Sequence, residues 1–243
     1  MGDTQRQPRS SVHVPPPDHH RDVTGGALRA GVFGAMDGLV SNFSLVAGVI
    51  GGGVSTQTVI LTGLAGLAAG AFSMAVGEYT SVASQGEATQ AEIAKEKLEI
   101  SRNPEGEAAE LALIYQSYGM DADIALKAAQ QITSNPEHNW RVHAREELGV
   151  DPDDLPSPYV AAASSFGAFA VGGLVPLLPL FFGAGSIFVV ALVSAIALFI
   201  SGGMVATLTT RSPWFGGARQ LVLGLAAAAA TYGLGSLIGG SIN

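Results

Sequence analysis

Long apolar stretches alternate with polar ones along this chain, and the apolar stretches are longer than a soluble core requires. Gly38 to Gly77 is a run of 40 residues without a charge, and another 56 uncharged residues separate Asp154 from Arg211. A third uncharged run begins at Gln220. A bilayer span needs about 20 apolar residues. The pattern predicts five spans: about Leu28 to Ile50, Thr58 to Ser81, Tyr159 to Phe182, Ser186 to Leu208 and Ala218 to Ile238. Pro176 and Pro179 predict a kink in the third.

The second span does not stop at the membrane. From Ala69 the chain reads AGAFSMAVGEYTSVASQGEATQAEIAKEKLE, apolar at first and charged afterwards. No proline interrupts it, and Gly77 and Gly86 are its weak points as a helix. One helix is expected to leave the bilayer and run on in water to about Ser101, where Asn103-Pro104 breaks it. Three short helices follow: Pro104 to Tyr118 before Gly119, Asp121 to Thr133 before Asn135-Pro136, and Glu137 to Leu148 before Gly149. A linker, DPDDLPSP, leads into the third span. The expected fold is an all-α membrane protein. Five transmembrane helices carry a cytoplasmic acidic helical domain between helices 2 and 3. The expected divisions are a disordered cytoplasmic tail (1–27), helices 1 and 2 (28–84), the acidic domain (85–157) and helices 3 to 5 (158–243).

Charge sets the orientation. The N-terminal tail through Arg29 holds four Lys or Arg, the segment between spans 2 and 3 holds six, and Arg211 and Arg219 lie between spans 4 and 5, which accounts for all 12. The opposite side has none, so the N-terminus and residues 85–157 are expected in the cytoplasm and the C-terminus across the membrane. The tail carries no apolar h-region, and Pro15, Pro16 and Pro17 suggest disorder. His13, His19 and His20 could hold a metal loosely, though a solvated tail is the plainer reading. This bare tail favours the plasma (inner) membrane of a bacterium.

Asp37 is the sharpest chemical signal. A carboxylate inside a span costs about 2.5–3.5 kcal/mol on insertion scales, so it faces a bundle interior or a pathway. A structural role, paired with a residue such as Asn42, is the alternative. Met74 on the second span matters if it meets Asp37, and Glu78 stands one turn further on the same face. Between Glu87 and Asp154 the chain has 15 acids against six Lys or Arg. Glu92, Glu96 and Glu99 form one helical stripe, Glu107 and Glu110 are three apart, and His143 and Glu147 are four apart. Such acids can be a merely solvated face, but stacked like charges repel and a bound cation would relieve them. Carboxylate with imidazole suits Mn(II), Fe(II) or Ca(II) better than Cu(I). Four glycine pairs spaced by four also occur. With 32 glycines their number alone carries no weight, and only Gly34 and Gly38, flanking Asp37, bear on function.

Several activities are excluded or disfavoured. There is no cysteine, hence no disulfide, thiolate metal site or thiol nucleophile. No GxxxxGK[ST] or GxSxG motif is present, and no Glu-x-x-His supports a di-iron oxidase. The chain is read as a non-enzyme. A pI of about 5.0 argues against nucleic acid as a partner.

Asp37-Gly38-Leu39-Val40, the run AGAFSMAVGEYTSVASQ and GGLVPLLPL at Gly172 to Leu180 resemble the vacuolar iron transporter family, from about Arg29 onward. The resemblance implies a homodimer that exports Fe(II) or Mn(II) from the cytosol by proton antiport, with no tightly bound cofactor. It implies a pathway at the dimer interface lined by the first two helices, with Asp37 and Met74 as membrane ligands, and a helical metal-binding domain between helices 2 and 3 with Glu96, Glu99, Glu107, Glu110 and Glu147 as cytoplasmic carboxylates. Plant members have a glutamate where this chain has Gly66, and methionines near the place of His143 and Ala144. Fewer soft ligands favour Mn(II) beside Fe(II). The alternatives are a membrane-tethered metal store or sensor without transport, and an interaction protein whose acidic helices dock a basic partner.

Overall fold

A computed structural model of the chain describes residues 26–208 and 211–242, and every regular element among them is helical. The expected disordered tail, with His13, His19 and His20, lies outside the described residues apart from its last two positions. Helix α1 is Gly26–Gly51, and α2 is Thr56–Arg102. Then come α3 (Pro104–Ser117), α4 (Ala122–Thr133) and α5 (Pro136–Glu146). The third apolar stretch is α6 (Pro158–Leu174), a 3-10 turn (Val175–Leu177) and a short α7 (Leu178–Phe181). The bend falls where Pro176 and Pro179 remove backbone donors. Helices α8 (Ile187–Leu208) and α9 (Pro213–Ile242) complete the chain. Five helical stretches are long and apolar enough to cross a membrane.

Helix α2 is unbroken over 47 residues, about 70 Å at 1.5 Å per residue. Roughly 20 residues suffice to cross a bilayer, so the remainder projects beyond it. Ser55 caps its start by accepting a hydrogen bond from the Thr58 amide, and Asn103 ends it. Asn103 also accepts from the Gly106 amide and starts α3, with Pro104 in the first turn, where no donor is missed. Gly119 (φ +94°) and Gly149 (φ +66°) close the ends of α3 and α5 in the left-handed region that favours glycine.

Helix α1 is the hub of the bundle, touching α2, α6, α8 and α9. Its Leu39, Phe43, Val46 and Ala47 join Val59, Leu177, Leu180, Val190, Leu198 and Ala228 in the main apolar core. Glycine makes these approaches close. A methyl group at Gly34 would stand 2.7 Å from the Ser165 carbonyl oxygen, and one at Gly38 would overlap that of Phe169. Gly172 meets the Ala35 carbonyl in the same way. The far end of α1 repeats the device: Gly235 and Gly239 of α9 lie against the backbone of Gly48 and Gly52. Two of the glycine pairs that sequence spacing left without weight, Gly48/Gly52 and Gly235/Gly239, therefore face each other across a helix crossing. Side chains stitch the same seams, with Ser164 donating to the Ala27 carbonyl at 2.7 Å and Thr231 to that of Ser44 at 2.7 Å.

Helices α3 to α5 have a small core of their own. Ala108, Leu111 and Ala112 pack on Ala125 and Ala129, with Tyr115, Ile132 and Val142 at its edge. Arg145 holds Asp151 at 2.9 Å, and Arg141 holds Asp153 at 3.3 Å, which ties α5 to the linker.

Gly38→Ala should destabilise the solubilised protein by ~1–3 kcal/mol, because its methyl group meets backbone that must shift. Gly77→Ala, where nothing lies within 4 Å, should leave stability unchanged or raise it by up to ~1 kcal/mol through helix propensity. Thermal unfolding of both in detergent checks this.

Candidate metal sites

Two groups of potential ligands emerge, both on α2. The first lies within the apolar part of the bundle. Asp37, Ser41 and Asn42 of α1 face Gly66, Ser73 and Met74 of α2 across a cavity of about 210 Å³, with Phe169 of α6 also on its wall. The cavity exists because α2 is thin here. Gly66 and Gly70 are one turn apart and have no side chains, although Leu45 and Phe169 fill part of the space each leaves. Asp37 and Met74 are both half-buried. Ser41 donates to Asp37 Oδ1 at 2.9 Å. Asn42, the partner expected from sequence, instead donates through Nδ2 to the Gly173 carbonyl on α6. Glu78, one turn beyond Met74, is half-buried and is not among the residues lining this cavity.

The second group lies beyond the apolar part of α2. Glu96 of α2, Glu107 of α3, and His143 and Glu147 at the end of α5 bring one ligand atom each to within 4.8 Å of one another. The Asn103-Pro104 turn folds α3 back so that Glu107 meets Glu96. Packing of α5 against α2 supplies the other two. His143 is fully buried, and its Nδ1 stands 2.7 Å from Glu147, 3.1 Å from Glu96 and 4.0 Å from Glu107. One ring nitrogen can carry one proton, so it can satisfy one carboxylate at a time. Glu96 Oε1 and His143 Nε2 are left buried without hydrogen-bond partners. Three carboxylates around one imidazole have more acceptors than protons, which suits a cation.

The titration of the cluster follows from its geometry. Burial pushes the Glu107 carboxyl up to about 7, with further push from Glu96, Glu110 and Glu147 and a smaller opposing pull from His143. Burial also raises Glu96, followed by the charges of Glu147, Glu99 and Glu110, against the pull of His143. Burial raises Glu147, helped by Glu110 and Glu99. Glu99 and Glu110 thus act on the cluster as neighbours from its rim, outside the four. Glu92 is exposed, one turn before Glu96, and does not join it. Lys97 caps the Trp140 ring at 3.6 Å, a cation–π contact that docks α5 on α2 beside the cluster.

Sequence comparison gives these sites their context. The sequence model of the VIT family matches residues 28–236. This chain belongs to the VIT family. A vacuolar iron transporter of Acanthamoeba castellanii is 40% identical over 216 residues, covering 86% of this chain and 74% of the relative. Vacuolar iron transporter 1 of Oryza sativa is 30% identical over 94% of this chain and 92% of its own. Vacuolar iron transporter 1 of Arabidopsis thaliana is 31% identical over 91% of each. The family resemblance expected from Asp37-Gly38-Leu39-Val40 and its companion motifs is thereby borne out, and the five long apolar helices agree with a membrane protein of several spans. The relatives' names are vacuolar, which does not support the bacterial inner membrane expected from the bare N-terminal tail.

The sign of the pH dependence follows from raised carboxyls. The folded, metal-free protein holds protons that the unfolded chain releases at about 4.5. The cluster's contribution to stability is therefore greatest below that value and is lost as pH rises through about 7. Thermal unfolding of the metal-free protein should show a falling midpoint from pH 4.5 to 7.5. Glu107→Gln, which mimics the protonated side chain, should flatten that slope and raise the midpoint at pH 7.5.

Proposed function

We propose that this VIT-family protein exports Fe(II) and Mn(II) from the cytosol in exchange for protons. The observation that carries the reading is the convergence of Asp37 and Met74 on one cavity among the spans. A carboxylate and a thioether at that depth offer a divalent cation both a charge and a soft ligand. Metal binds the deprotonated carboxylate, so its entry displaces a proton. If the cavity opens to each side in turn, metal moves outward as protons move in.

The acidic cluster serves as the loading site. Lysine and arginine distribution puts the helices between spans 2 and 3 in the cytoplasm, with the N-terminus, and the C-terminus on the other side. Glu96, Glu107, His143 and Glu147 then collect the ion on the cytosolic side, with Glu99 and Glu110 adding negative potential around them. The donor set of carboxylates and imidazole supports Mn(II) as well as Fe(II). The membrane is one that bounds the cytosol, as the vacuolar membrane does for the named relatives. A homodimer is part of the proposal. The outer face of α2, with Leu61, Phe72 and Val76 exposed, is left uncovered by its own protomer and is open to a second copy.

Proteoliposomes holding the full-length protein and a pH-sensitive dye separate transport from storage. Wild type should carry Mn(II) and Fe(II) with counterflow of protons. Asp37→Ala should lose transport at least about 100-fold, while calorimetry still finds Mn(II) bound at the acidic cluster. Glu96→Gln combined with Glu147→Gln should lose most of that binding. Undiminished flux in Asp37→Ala would overturn the reading. Binding without flux in the wild type would favour a membrane-tethered metal store.

A further inference from the structure

Asn42 is 2% exposed and sits on α1 between the cavity and the core residue Phe43. Its Nδ2 donates to the Gly173 carbonyl. That contact decides how the amide faces. A carbonyl oxygen only accepts hydrogen bonds, so the group against it must be the NH₂, and Oδ1 is turned the other way. The other way is α2, at the cavity wall. A methyl group built at Gly66, across on α2, would stand 3.6 Å from Asn42 Oδ1. This oxygen is buried and has no hydrogen-bond partner. Leaving a buried polar atom unpaired costs ~1–3 kcal/mol, and folded proteins avoid it at roughly nine positions in ten. Here the unpaired atom belongs to a residue of the wall that Asp37 and Met74 also line, and it faces the α2 side of that wall at Gly66.

We propose that Asn42 Oδ1 is a direct ligand of the metal ion crossing this cavity. The inference rests on the transport reading and assigns a further residue to it. An amide oxygen is a hard, neutral donor, whereas the Met74 thioether is soft. Together with the Asp37 carboxylate it biases the site toward Mn(II) and Fe(II) over soft ions such as Cd(II). It does so without adding a second negative charge beside Asp37. The bound ion keeps an uncompensated positive charge in a low-dielectric setting, which favours release over retention, as conduction requires. The same amide pins α1 to α6 through Nδ2, so ligand orientation and helix packing are fixed by one side chain.

The test is the ratio of KM values for Mn(II) and Cd(II) in proteoliposomes of the full-length protein. Asn42→Leu keeps the branched outline and heavy-atom count and removes both polar atoms. As a ligand, Asn42 gives this variant a KM for Mn(II) raised about tenfold or more, with that for Cd(II) moving less than about threefold. Met74→Leu should shift the ratio the opposite way. If Asn42 is only a pin, the two KM values move together or not at all, and the inference is overturned. Should Asn42→Leu fail to give a monodisperse protein, Asn42→Asp supplies the reading. It returns an oxygen to the cavity with a charge, so it should lower the KM for Mn(II) and slow turnover. An unchanged or raised KM for Mn(II) there overturns the inference. A silent wild type, or normal flux in Asp37→Ala, would instead remove the transport reading beneath it. An unshifted ratio in Asn42→Leu, with Asp37→Ala inactive, would remove only the role given to Asn42.

Discussion

The closeness of α1 to α6 is the constraint on which the remaining geometry depends. Two helix backbones meet where Gly34 and Gly38 face Ser165 and Phe169, and where Gly172 faces Ala35. At that distance a side chain from one helix reaches the main chain of the other, and Asn42 does so at Gly173. Helix association in lipid has little hydrophobic drive and depends on dispersion contact and interhelical hydrogen bonds. Both are supplied along this seam. It fixes the rotation of α1 about its axis, and so fixes which of its residues look toward α2. Asp37, Ser41 and Asn42 share the cavity-facing side for that reason, while Leu39 and Phe43 turn into the core.

Helix α2 joins the two ligand groups without a break. Met74 and Glu96 are separated by about 33 Å of helix at 1.5 Å per residue. Nothing within that stretch reduces its stiffness except Gly77 and Gly86, and neither has a neighbour within 4 Å of the place its methyl group would take. An ion held by Glu96 and an ion held by Met74 would therefore act on the same rigid rod. The acidic cluster adds a second form of energy storage. Burial and mutual repulsion raise its carboxyls toward the protonated form, and a divalent cation binding there would exchange for protons. Metal affinity in such a cluster is tied to pH even before any ion reaches the membrane.

Much of this was legible in the sequence, for identifiable reasons. The five spans follow from uncharged runs, the continuity of α2 from the absence of proline, and the ends of α3 and α5 from Gly119 and Gly149. The cluster residues Glu96, Glu107, His143 and Glu147 all stood out as acids or imidazole on helical faces. Their separation from Glu92, Glu99 and Glu110 did not, because periodicity gives a face of a helix and says nothing of which turn meets a neighbour. Asn42 was visible only as a possible partner for Asp37. Its true acceptor, Gly173, is 131 positions away, and no local pattern links them. The seam of Gly48 and Gly52 against Gly235 and Gly239 was hidden for the same reason. Spacing by four is common in a glycine-rich chain, and only the fold shows which pairs confront each other.

That second seam has a consequence for how the bundle can move. Contacts between bare backbones contain no rotamers, so where Gly235 and Gly239 lie on Gly48 and Gly52 a small pivot of α9 over the end of α1 has no interlocked side chains to unlatch, and the Thr231 hydrogen bond to Ser44 is the tether beside it. Where ordinary helix packing resists sliding through interdigitated ridges, these two helices meet as smooth surfaces. The contact of Thr231 with Ser44 is then the natural fulcrum, and the glycine-lined ends beyond it are free to swing.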